Sequence, residues 1–134
     1  MIDFVKKYPW TAVTMNRVEP WRDIGSGWFD DIDEWCPGWT KIIEAAAIRV
    51  QTIIDTHPGC TYEVQQFKEK FGSIRLYMTC SQDINALVYD VVRDLETLSM
   101  HTCMNCGAEA EIRDDRPYMI CLCDECANKT KKKI

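Results

Sequence analysis

The sequence predicts an α+β fold, with helices packed on a β-hairpin and a cysteine-built ribbon at the C-terminus. Three patterns predict it: two long stretches with apolar residues at three- and four-residue spacing, a pair of alternating segments between them, and a crowd of cysteines in the last quarter. The chain has 134 residues, 46% of them hydrophobic, which is enough for one core without disulfide staples. No apolar run approaches the roughly 18 residues needed to cross a bilayer. Met1-Ile2-Asp3-Phe4-Val5-Lys6-Lys7 lacks the apolar stretch and the small-residue cleavage site of a secretory signal. No membrane association is expected, and the expected location is cytoplasmic.

Residues 1–100 should form the body. Up to about residue 26, Pro9, Pro20, Gly25 and Gly27 punctuate a stretch with no sustained apolar period. A short helix is expected over Trp28–Trp35, with Trp28, Ile32 and Trp35 on one face, and Cys36-Pro37-Gly38 stops it. From about Thr40 to Asp55, Ile42, Ile43, Ala46, Ala47, Val50, Ile53 and Ile54 recur at helical spacing until His57-Pro58-Gly59. A β-hairpin follows over 61–79: Ile74, Leu76 and Met78 face one way, Arg75, Tyr77 and Thr79 the other. The next helix starts at Ser81 or Asp83 and reaches about Met100, on a stripe of Ile84, Leu87, Val88, Val91, Val92, Leu95 and Leu98.

Cys103-Met104-Asn105-Cys106 and Cys123-Asp124-Glu125-Cys126 are two C-x-x-C pairs separated by 16 residues. That spacing fits four thiolate ligands on one structural Zn²⁺, each pair gripping the ion through a tight turn. Gly107 suits the first turn, and Glu109–Leu122 offers a connecting hairpin. The expected units are therefore a zinc ribbon over 101–128 and a basic tail over 129–134, Cys103, Cys106, Cys123 and Cys126 being the ligands. Cys121 could replace Cys123, but a strand position pointing elsewhere is its simpler fate. Cys36, Cys60 and Cys80 are expected as small buried apolar residues. Four thiolates leave no position for water, so the ion is expected to be structural.

Phe67-Lys68-Glu69-Lys70-Phe71-Gly72-Ser73-Ile74-Arg75-Leu76-Tyr77, with Cys103-x-x-Cys106-Gly107 and Leu122-Cys123-Asp124-Glu125-Cys126-Ala127, resembles a family of small phage and prophage proteins. In that family a V-K-E-K-F-G-x-L-R-F-Y hairpin precedes a helix and paired metal-ligand elements. Gly27-Trp28-Phe29-Asp30-Asp31-Ile32 resembles its opening, so the likeness spans about residues 27–127. Phe67 stands here for Val, Ser73 for Gly and Cys121 for a common Thr. The resemblance implies phage origin, hence a host-cell cytoplasm, and zinc, but no reaction.

Other chemistry is sparse. His57 and His101 form no H-E-x-x-H, there is no phosphate-binding glycine loop, and Thr102 and Leu122 stand where a zinc deaminase needs proline. His101 is placed to donate to a thiolate from outside the ligand set. Asp30, Asp31, Asp33 and Glu34 read as a solvated helix face. Trp28, Trp35 and Trp39 are expected to pack the helices, whereas Trp10 and Trp21 are candidates for a partner surface. Lys68, Lys70 and Arg75 place cations around the hairpin turn, as a second candidate. Residues 101–134 carry six cations and six acids, so the net charge of −5 resides in residues 1–100. That balance disfavours nucleic acid and suits a protein partner. The expected function is a non-enzymatic, phage-encoded zinc-binding protein that binds a host or phage macromolecule and so inhibits a host defence or host process. A small zinc-ribbon nucleic-acid-binding regulator is the alternative.

Overall fold

The computed structural model describes residues 4–11, 36–115 and 117–131. The helix expected over Trp28–Trp35, its four acids and Trp21 lie outside the described residues. A short helix α1 (Phe4–Lys7) and a 3₁₀ turn (Pro9–Thr11) precede a second 3₁₀ turn (Pro37–Trp39), which runs straight into α2 (Thr40–Thr56). β1 (Tyr62–Lys70) and β2 (Ser73–Cys80) form an antiparallel pair. Then come α3 (Gln82–Ser99), a small antiparallel pair of β3 (Glu111–Arg113) and β4 (Ile120–Leu122), and α4 (Asp124–Lys131). The molecule is thus mixed α and β, with two two-stranded sheets. Among the described residues no helix is long and apolar enough to cross a membrane.

Local chemistry explains most elements. The helical period of α2 buries Ile43, Ala46, Ala47 and Val50, and α3 buries Ile84, Val88, Val91 and Leu95. The α3 stripe is narrower than expected: Leu87 and Leu98 stay exposed, while the polar Ser99 is fully buried. Ser99 is inside because its hydroxyl caps the sheet. Its Oγ accepts from the Ile74 N–H at 2.8 Å and donates to the Glu96 carbonyl at 2.6 Å. The Glu96 carboxylate accepts from the Leu76 N–H at 3.1 Å. Two N–H groups on the outer edge of β2, which a two-stranded sheet would leave open, are thereby satisfied.

The β1–β2 turn has only Phe71 and Gly72 at its centre, at φ of 54° and 85°. Positive φ at both positions matches the right-handed twist of hairpin strands. Ile74 and Leu76 face the core and Tyr77 and Thr79 face out, as the alternation predicts. A register slip between Val64 and Gln66 marks a bulge.

Among the described residues one hydrophobic cluster joins the N-terminal turn, the helices, the first hairpin and the cysteine region. Tyr8, Trp10 and Trp39 belong to it together with Ile74, Leu95, Cys103, Met104 and Cys121. Trp10, read from sequence as a partner-facing residue, is only 7% exposed and packs in this core. Its 3₁₀ turn contacts β1, which the punctuated local sequence could not reveal. Residues 129–131, expected to begin a basic tail, continue α4 instead.

Candidate metal centre

The first cysteine pair sits in a turn immediately after α3. The Cys103 N–H bonds to the Ala108 carbonyl at 2.7 Å, and the Gly107 N–H returns to the Cys103 carbonyl at 3.0 Å. Gly107 closes the knuckle at φ 86°, where a side chain would be strained. The second pair sits differently. Cys123 follows β4, and Cys126 lies in the first turn of α4, whose Ala127 N–H bonds to the Cys123 carbonyl at 2.9 Å. The arrangement is knuckle, hairpin, helix, so the second pair opens a helix where the ribbon expectation placed a second hairpin end. The Cys126 N–H donates to the Cys123 Sγ at 3.5 Å.

The Sγ atoms of Cys103, Cys106, Cys123 and Cys126 all lie within 4.8 Å of one another. Cys106 and Cys123 approach to 3.6 Å. Bonds of about 2.3 Å to a tetrahedral ion imply sulfur–sulfur edges of about 3.8 Å, so the four could hold one metal ion together. Cys103 and Cys126 are buried, Cys123 is half-buried and Cys106 is exposed, which leaves the site on the surface with a buried floor.

The titration of the four sulfurs records their crowding. Burial pushes the Cys103 thiol up, but N–H groups of Cys123, Cys106 and Asn105 outweigh it and bring it down to about 6. Asn105, whose Nδ2 donates to the Cys126 Sγ at 3.3 Å, favours a thiolate there, yet burial and the three neighbouring sulfurs push Cys126 up to about 12. Cys106 is raised as well, its Ala108 N–H outweighed by the sulfurs of Cys123 and Cys103. Cys103 ionises at the expense of Cys106 and Cys126, the state that a divalent cation relieves. Arg113 and Lys129 are made more basic chiefly by their ion-paired carboxylates, Asp124 and Glu125, and to a lesser degree by the Cys123 sulfur and by the Cys126 and Cys106 sulfurs respectively. They are cations suited to offset the surplus negative charge of four thiolates.

Cys121 is not one of the four. It is fully buried, its Sγ donates to the Met100 carbonyl at 3.3 Å, and burial followed by Cys103 pushes its thiol up to about 11. His101 does not assist the thiols: it is exposed, and it serves through its backbone, its carbonyl accepting from the Ala110 N–H at 2.9 Å.

What sequence reasoning missed is the seat of the knuckle. Cys36-Pro37-Gly38-Trp39, read only as a helix stop, lies against it. The Gly38 N–H donates to the Met104 carbonyl and the Trp39 indole N–H to the Thr102 carbonyl, both at 2.8 Å. A Cβ on Gly38 would stand 2.1 Å from the Cys103 carbonyl oxygen. On the other side, a Cβ on Gly72 would stand 3.3 Å from both Ile112 and Ile120, so the first hairpin's tip abuts the second hairpin. A glycine between Pro37 and a large aromatic was the available signal. Of the other predicted site residues, Lys68 and Arg75 are half-buried and Lys70 is exposed, all on the first hairpin and none at the sulfur cluster.

Comparison with protein-family models, with curated proteins and with solved structures gave no match.

Proposed function

We propose that this protein is a zinc-braced, non-enzymatic binding protein, phage-encoded, which engages a host or phage macromolecule, in the first place a protein. Convergence of four cysteine sulfurs within 4.8 Å is the observation that carries the reading. Thiolate-only, tetrahedral sites select zinc among the hard and borderline divalent ions. Such a site is closed: all four positions belong to the protein, and no water remains to be activated. Its ion would brace the fold and perform no reaction. A partner in the reducing cytoplasm of a host cell fits free thiols at all eight cysteines.

Elemental analysis of reduced, full-length protein tests the reading. One zinc per chain is expected, lost together with structure on chelation and in the Cys103→Ser and Cys126→Ser variants. Metal-free protein that stays fully folded and takes up no zinc would defeat it. So would turnover of a substrate abolished by a single Asp or His substitution.

A further inference from the structure

Three cations share the outer face of the first hairpin. Alternation along the strands puts Lys68, Arg75 and Tyr77 opposite the face that carries Ile74 and Leu76, and Lys68 is registered directly across from Arg75. Lys70 closes the same row at the strand end. Lys68 Nζ lies 5.9 Å from the Tyr77 ring and Lys70 Nζ 5.6 Å from the Phe71 ring. Among the described residues none of the three cations forms an ion pair. The neighbouring acid is turned to the backbone: Glu69 Oε2 accepts from the Gly72 N–H at 3.1 Å. Glu63 sits at the far end, across from Thr79.

Exposed apolar residues stand at and next to the tip of this hairpin. Phe71 is 61% exposed and holds φ 54°, a region that asparagine or glycine adopts readily and a bulky side chain does not. The ring gains little burial in return. A Cβ on Gly72 would stand 3.3 Å from the Ile120 backbone, and Tyr118 and Met119, exposed by 78% and 44%, immediately precede that residue. Exposed aromatic and thioether residues thus lie on both chain segments that meet at the tip of the first hairpin. A strained, exposed aromatic beside cations that have no carboxylate partner among the described residues is arranged for something outside the chain.

We propose that the tip and outer face of hairpin β1–β2 dock an acidic segment of a partner protein, with an apolar side chain seated on Phe71, Tyr118 and Met119 and its carboxylates on Lys68, Lys70 and Arg75. This deepens the binding-protein reading and rests on it. Charge selects the occupant. The chain as a whole carries −5, while this face is cationic. A long polyanion would extend past the three cations on a chain of net negative charge, whereas a short acidic peptide ends within the face. Strands of this length offer a footprint suited to a peptide segment.

The test uses the zinc-loaded full chain and a fluorescein-labelled peptide of Asp and Glu with one central Leu. A peptide with Lys in place of the acids and a single-stranded oligothymidine serve as competitors. The acidic peptide should bind alone of the three and weaken with added salt. It should shift amide resonances of residues 68–77 and 118–120. Lys70→Glu and Phe71→Asn, the latter compatible with the turn, should each weaken it by about tenfold or more. Preference for oligothymidine would overturn the proposal while leaving a macromolecule-binding protein. Shifts confined to other residues, or no binding by folded, zinc-loaded protein, would overturn it as well.

Discussion

Replacing Gly38 by alanine puts a methyl group where there is no room for one. The new Cβ would meet the Cys103 carbonyl oxygen at 2.1 Å, the Gly107 nitrogen at 2.5 Å and the Cys106 nitrogen at 2.9 Å. All three are backbone atoms of the metal knuckle, so no side chain can rotate aside. Gly38 is not among the positive-φ glycines, and the cost is therefore steric. Relief requires the knuckle to withdraw by about 1 Å, which breaks the 2.8 Å bonds from Gly38 N–H to Met104 and from the Trp39 indole to Thr102. Each buried group left unpaired costs about 1–3 kcal/mol. Alanine returns about 0.5–1 kcal/mol by restricting the unfolded chain, so the net loss is about 1–5 kcal/mol. Urea unfolding of the zinc-loaded protein measures it, with zinc release to a chromogenic chelator as the second readout. Gly59→Ala is the control: φ is 85° but nothing lies within 4 Å, so only backbone strain of about 1 kcal/mol applies and zinc release is unchanged. Equal midpoints and equal release rates for the two variants would refute the seating of the knuckle on Gly38.

Cys121→Ser should keep one zinc per chain while lowering stability, because Cys121 is buried outside the sulfur quartet, whereas Cys103→Ser should lose the metal; elemental analysis separates them. Burial, with Glu69 adding to it, pushes the Cys36 thiol up to about 12 from an ordinary 9.0. A raised folded pKa means that its contribution is complete below pH 9 and is lost as pH climbs toward 12, since only the unfolded chain ionises in that window. Stability should therefore fall above pH 9 by at most about 1.4 kcal/mol per pH unit from this group. Cys36→Ala should flatten that slope in denaturation series, whatever it does to the absolute value. Phe71→Asn should raise the urea midpoint, by about 1 kcal/mol of relieved left-handed strain. An unchanged or lower midpoint would show that the ring contributes to the fold.

The elements legible in the sequence were those whose cause is local. Ile43, Ala46, Ala47 and Val50 carry the period that makes α2, expected over 40–55 and found over 40–56. The alternation of Ile74, Leu76 and Met78 carries β2, and the paired cysteines carry their own spacing. What escaped depends on distant partners. Ser99 is polar and stands outside the apolar stripe, but it is needed at the Ile74 N–H, 25 residues away in sequence. Leu87 and Leu98 fit the helical stripe, yet nothing among the described residues covers them. Asp124–Lys131 has little apolar character to announce a helix. Its start is fixed by the turn at Cys123, and the Asp124 carboxylate is held by Arg113 at 2.5 Å. Trp10 sits among prolines and looks solvent-facing until β1, more than fifty residues later, packs on it.

The sulfur quartet therefore stands where chain segments distant in sequence meet beside the core, with Trp39 and Cys103 fully buried. Gly38 and Cys103 are separated by more than sixty residues, and closing such a loop carries an entropic cost that some contact must offset. Where two glycines, Gly38 and Gly107, face each other, a Cβ would come within 3.1 Å of the opposing backbone, so no side chain can be buried to supply the attraction. Hydrogen bonds from Gly38 and Trp39 supply part of it, at about 1 kcal/mol net each. The remainder falls to the knuckle's own rigidity, since a loose turn could not present the Thr102 and Met104 carbonyls in fixed positions. A metal ion held by the four sulfurs would supply that rigidity, and its binding would thus be coupled to the seating of the 3₁₀ turn that leads into α2, and through Trp39 to the core of the described residues.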